Sequence, residues 1–166
     1  MSYVVWRVRQ DPMKWKSWGF RTDNLREAFI WPSVLFAGSG LVMAWYGVVT
    51  GRELWQRHLL FLLFLYPLWG ILQQFLVQAM GVDNLIKIFP QHGLLLAIPI
   101  GVILFAVVHF PDWWLMLATG LLACFFIPCY IRDRILWPLG LYHGWLGTFF
   151  YLWVLGRDPW VSVFGR

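Results

Sequence analysis

The stretch HLLFLLFLYPLWGILQQFLVQAM, residues 58–80, decides how this chain is read. It is long enough to cross about 30 Å of hydrocarbon, which needs roughly 20 apolar residues. Its only strongly polar side chains after His58 are three amides: Gln73, Gln74 and Gln78. Gln74 and Gln78 stand four residues apart, on one helical face, with Gln73 about 100° round from Gln74. An unpaired amide in hydrocarbon is costly, so these groups are expected to face polar partners inside the protein.

Four further stretches have span length: about 29–49, 92–110, 113–131 and 135–155. The composition agrees, with 60% hydrophobic, 20% aromatic and 13% charged residues and a mean hydropathy of +0.64. A soluble domain of this size needs more polar surface. Open sheet edges are excluded in lipid, and no stretch alternates with period two like a barrel strand. The expected fold is therefore all-α, a polytopic transmembrane bundle of about five spans. It divides into an interfacial N-terminal segment (1–28), a membrane domain (29–155) and a short tail (156–166).

Basic residues set the expected orientation. With the N-terminus cytoplasmic, that side carries Arg7, Arg9, Lys14, Lys16, Arg21, Arg26, Lys87, Arg132 and Arg134. The other side carries Arg52, Arg57, Arg157 and Arg166. No signal-peptide or lipidation pattern is read at the chain ends. Trp31, Trp55, Trp113, Trp114, Trp137, Trp153 and Trp160 flank the spans and suit aromatic belts. The net charge of +5 points to topology and anionic lipids as partners, not to nucleic acid.

Local expectations follow from the same reading. Residues 18–29 predict a short amphipathic helix capped by Asp23 or Asn24, with Glu27 completing a capping box and Trp18 and Phe20 dipping into lipid. Pro67, Pro128 and Pro138 predict kinks or short breaks. Gly38, Gly40, Gly140, Gly144 and Gly147 predict close helix approach. Cys124 and Cys129, spaced i, i+5, suit neither a zinc site nor a disulfide framework and are expected in the core.

The candidate site is built from the amides and two histidines. His143 sits within the fifth span, where a neutral imidazole needs a partner. His109 closes the third, and by itself reads as an interfacial histidine. His58 and His92, at span edges, are given no role. Gln73, Gln74, Gln78, His109 and His143 are expected to share one polar pocket. As plain interhelical bonds they hold helices together at about 0.6–2 kcal/mol each. As a working site they bind water or an amide. Two histidines without a carboxylate or thiolate make a poor zinc site, and Asp112, a conceivable third ligand, sits past Pro111 at the interface, so no metal or other cofactor is expected.

These residues, in this order, resemble the CPBP intramembrane proteases, the CAAX-protease and bacteriocin-processing group. Its motifs EExxxR, FxxxH and HxxxN/D align with QQFLVQ (Gln73 to Gln78), FAVVH (Phe105 to His109) and HGWLG (His143 to Gly147). The likeness spans roughly residues 18–150. It implies a CPBP-like helical core, a bacterial inner (plasma) membrane location and an endopeptidase acting on a membrane-associated peptide or protein. In that family the paired glutamates and both histidines activate water, and the third-motif Asn or Asp stabilises the oxyanion. Here both carboxylates are amides, the arginine is Gln78 and the oxyanion residue is Gly147. An amide cannot act as a general base, so chemistry narrows to His109 and His143. The joint loss of acids and arginine leaves no buried ion unpaired. Two functions are therefore expected: a divergent endopeptidase or amide hydrolase, or a catalytically inactive scaffold serving as a binding, assembly or accessory subunit.

Overall fold

The computed structural model describes residues 3–89 and 91–165, and among them it is helical with no strand. Arg166, counted above on the outer side, lies outside the described residues. Two short helices, α1 (Tyr3–Gln10) and α2 (Lys14–Ser17), precede the long α3 (Leu25–Val49). Next, α4 (Leu59–Gln74) runs through a π-helical segment (Phe75–Val82) straight into α5 (Asp83–Ile88). Then come α6 (Gly93–Val107), α7 (Trp113–Asp133) and α8 (Trp137–Phe149). A second π-helical segment (Phe150–Leu155) extends α8, and α9 (Pro159–Phe164) follows.

Three stretches are long and apolar enough to cross a membrane: Leu25–Val49, Leu59–Ile88 and Trp113–Asp133. They coincide with the first, second and fourth expected spans. The other two expected spans are helical but do not meet that standard. The 15 residues of α6 rise only about 22 Å. Glycines, His143 and Thr148 dilute the apolar character of α8. That composition follows from its place in the bundle. Leu139, Tyr142, His143, Leu146 and Thr148 are buried, and a helix enclosed by protein needs no apolar perimeter. Around it, Leu41, Phe64, Leu95 and Leu121 stand exposed on α3, α4, α6 and α7, a display of apolar surface suited to lipid.

The helices run between two polar ends. At one, Asn24 Nδ2 donates to the Asp133 carbonyl (3.0 Å), the Leu136 amide donates to the Gly19 carbonyl (2.9 Å), and Arg134 pairs with Asp83. At the other, Arg157 pairs with Asp112, and His58 Nε2 lies 2.9 Å from an Asp158 carboxylate oxygen. The His58 pair was not anticipated, because its two members are separated by 100 residues.

Close helix approach occurs where α8 crosses α4. A Cβ on Gly140 or Gly144 would run into the backbone of Ile71 or of Tyr66 and Pro67, and one on Gly70 into Gly140 and Gly144. Gly38, Gly40 and Gly147 do not take part, since a Cβ there meets nothing within 4 Å. The GxxxG pair is thus used inside the chain, with Gly70 as its counterpart.

Several local expectations are corrected. Trp18 is buried, 6% exposed, in a core cluster with Phe75, Tyr130 and Leu136, so it anchors the N-terminal segment to protein instead of lipid. Phe20 stacks on Trp15 with centroids 3.9 Å apart. Asn24 occupies the N-cap of α3 but its side chain makes no cap bond, having been drawn to Asp133. Asp23 instead pairs with Arg21. No separate amphipathic helix forms, because residues 25–29 belong to the first turns of α3. Cys124 is exposed, and only Cys129 is buried. Neither Pro67 nor Pro128 breaks its helix, and Pro138 lies in the first turn of α8, where it removes no hydrogen bond.

The Asp83 carboxylate also accepts from Tyr130 Oη (3.1 Å) and is only 5% exposed. Arg134 reaches it from a left-handed backbone conformation (φ 55°) that terminates α7. Arg134→Ala would strand a buried carboxylate with a single neutral donor. We expect a loss of about 3 kcal/mol, read by chemical unfolding of the purified protein in micelles, with Arg134→Lys recovering part of it.

Candidate functional site

Gln73 and Gln74 are the last residues of α4, and Gln78 lies in the π-helical segment that follows. Gln74 and Gln78 are 0% and 1% exposed. Across one helical turn the Gln78 amide Nε2 donates to Gln74 Oε1 at 3.0 Å, as their shared face predicts. Gln73, turned to the neighbouring face, is only half-buried and meets α8 instead. Its Oε1 lies 2.9 Å from His143 Nε2. A carbonyl oxygen only accepts, so this contact places the proton on Nε2 and leaves the lone pair on Nδ1.

His109 follows the last turn of α6, held by its Nδ1 donating to the Phe105 carbonyl at 2.9 Å. The Thr119 hydroxyl, 3.3 Å from the same nitrogen, donates its own proton to the Leu115 carbonyl at 2.7 Å. The remaining lone pair of His109 is therefore on Nε2. The Phe105 ring packs against both histidines, its centroid 5.5 Å from the His109 ring and 5.1 Å from that of His143.

The five residues do not form the single pocket expected of them. They form a Gln74–Gln78 pair, a Gln73–His143 pair and a His109–Thr119 contact. No hydrogen bond joins Gln74 or Gln78 to either histidine among the described residues. The amides diverge because adjacent helical positions point about 100° apart. Within these five residues, three buried polar atoms are left without a hydrogen-bond partner: Gln74 Nε2, Gln78 Oε1 and His143 Nδ1.

A cavity of about 240 Å³ opens beside His143, between α3, α7 and α8. Its walls are mainly apolar, with Met43, Leu115 and Leu146 among them, and Ser39, Thr119 and His143 supply the polar atoms. Gly147 lines it with no side chain. Gln73, Gln74, Gln78 and His109 do not line it. Thr119 and Ser39 escaped the sequence reading, since a lone hydroxyl residue in an apolar helix carries no periodic signal. No group of three or more His, Cys, Asp or Glu among the described residues is placed to hold a metal ion. Asp112, the nearest acid to His109 in sequence, instead caps α7, accepting from the Trp114 and Leu115 amides at 3.1 and 3.2 Å, and pairs with Arg157.

Fold and site together define an all-helical protein of membrane type, with three membrane-length helices and a buried glutamine–histidine seam between its second and last long helices. No family model, curated protein or solved structure matches the chain.

Proposed function

We propose that the chain is a non-hydrolytic membrane protein on a CPBP-type scaffold. It crosses the bacterial inner membrane five times with its N-terminus cytoplasmic, and it serves as a binding or accessory subunit for a transmembrane peptide or protein. One observation carries this reading: the amides that occupy the glutamate and arginine positions bond to one another and to His143, and none of them lines the cavity. No carboxylate stands in the seam to activate water, and Gly147 offers no side-chain oxyanion donor. The cavity's apolar walls and few hydroxyls suit side chains of a partner helix better than a hydrated peptide bond. Ends that alternate from helix to helix, with Asp133 and Arg134 beside the N-terminal segment, support five passes even though α6 is short.

A second reading, a divergent endopeptidase or amide hydrolase, has its own support. Both imidazoles have a fixed tautomer, and His143 Nδ1 retains an unpartnered lone pair. In that reading His143 takes a proton from water as the water attacks an amide carbonyl, then returns it to the leaving amine, with Gln73 orienting the ring.

Purified protein assayed against a panel of membrane peptides separates the two. We expect no turnover from the wild type and a stable co-purifying membrane partner. Gln73→Ala and His143→Ala are expected to show a coupling energy of about 0.6–2 kcal/mol in a double-mutant cycle of unfolding. Turnover that disappears in both His109→Ala and His143→Ala would overturn this proposal in favour of the hydrolase.

A further inference from the structure

The end of the bundle that carries the N-terminal segment holds a second cavity, of about 500 Å³, which none of the five seam residues lines. Arg7, Lys14, Lys87 and Arg134 line it, brought together from α1, α2, α5 and the turn after α7. Its apolar wall includes Trp18 and Met80. The only acid lining it is Asp83, already engaged by Arg134 and by the Tyr130 hydroxyl. Lys14 has a loose surface contact with Asp11 at 3.8 Å. Arg7 contributes an Nε that is buried with no hydrogen-bond partner. The cavity therefore gathers more positive charge than the chain neutralises, and it offers at least one unmet donor.

We propose that this cavity binds a phosphate-bearing anion at the membrane interface. Guanidinium and ammonium donors converge as phosphate recognition requires: Arg7 gives a directional fork, and Lys14 and Lys87 give point charges. The apolar wall beside them matches the glycerol and first methylenes of a lipid. The opposite end is built differently, its Arg157 and His58 lying against Asp112 and Asp158. This asymmetry fits an end that faces an anionic leaflet. The site stands whether or not the glutamine–histidine seam has any chemistry.

The same chemistry is presented by an anionic lipid headgroup and by free phosphate, and a two-armed titration of the full chain in neutral detergent distinguishes them. In one arm phosphatidylglycerol and phosphatidylcholine are added and bound lipid is counted by native mass spectrometry. In the other, inorganic phosphate is added and the thermal unfolding midpoint is followed. Phosphatidylglycerol retained in preference to phosphatidylcholine, with affinity falling about fivefold for each of Arg7→Gln and Lys87→Gln, identifies a lipid headgroup. A phosphate-dependent rise in the midpoint, absent from the double variant, identifies the free anion. Lys87 is exposed, so Lys87→Gln leaves the fold intact and the test decisive. The proposal is overturned if the wild type shows neither response, or if both substitutions leave the response unchanged.

Discussion

Replacing Gly144 with leucine is expected to cost more than about 3 kcal/mol and to leave little folded protein in the membrane. A Cβ at Gly144 would sit 2.5 Å from both Pro67 N and Tyr66 C, and 2.6 Å from Pro67 Cα. Overpacking a core with extra methylenes costs about 1–3 kcal/mol where side chains can yield. Here the obstacle is main chain, and the rest of the contact cannot yield either. A Cβ on Gly140 would run into Ile71, and one on Gly70 would lie 2.9 Å from Gly144 N. Separating α4 from α8 would also pull Gln73 from His143. The measurement is the folded fraction in detergent or by steric trapping in bilayers. Gly147→Ala is the control: with nothing within 4 Å of its Cβ, it should change stability by no more than about 0.5 kcal/mol. Equal losses at both positions would show that helix propensity, not close approach, governs this contact.

Gln74→Glu alone is expected to cost about 3–5 kcal/mol, the range for a buried charge with no counter-ion. Gln74 is fully buried, and its only side-chain hydrogen bond comes from Gln78 Nε2. A single amide donor at 3.0 Å cannot compensate the lost hydration of a carboxylate. Adding Gln78→Arg supplies a cation from the same helical face, and the double variant is expected to recover most of the loss. Gln73→Glu should be much milder, because Gln73 is half-buried and faces the His143 Nε2–H, which can donate to a carboxylate as it does to the amide oxygen. Chemical unfolding of the three variants in micelles measures the series. If Gln78→Arg gives no rescue, the Gln74–Gln78 contact is not the electrostatic pair that its geometry implies.

The same pair shows how far linear reading reaches. Spacing of four along a helix was sufficient to put Gln74 on Gln78, because that contact is local. The order of apolar stretches was likewise sufficient to place the five main helical segments, although the second, expected to end near residue 80, runs on to Ile88. Partner choice for Asn24, Asp23 and Trp18 was not legible. Each has an acceptable local solution, a helix cap or a lipid interface, and each was claimed by another group. Asp133, 109 residues away, took Asn24. Arg21 took Asp23, and the Phe75–Tyr130–Leu136 cluster took Trp18.

Composition and periodicity by themselves determined that this chain is helical, that it presents apolar surface of membrane type, and that its few intramembrane polar groups must find partners. Those properties depend on the cost of exposing backbone and amides to hydrocarbon, which is the same in any arrangement of helices. Only the tertiary structure decided which polar group meets which. Three glycines bring α8 against α4 and thereby set Gln73 on His143. Phe105 packs against both imidazoles, and the fold of the N-terminal segment collects Arg7, Lys14, Lys87 and Arg134 around one cavity. Contacts of this kind depend on crossing distances and on what fills the space between helices, and neither is carried by a residue's neighbours in the chain.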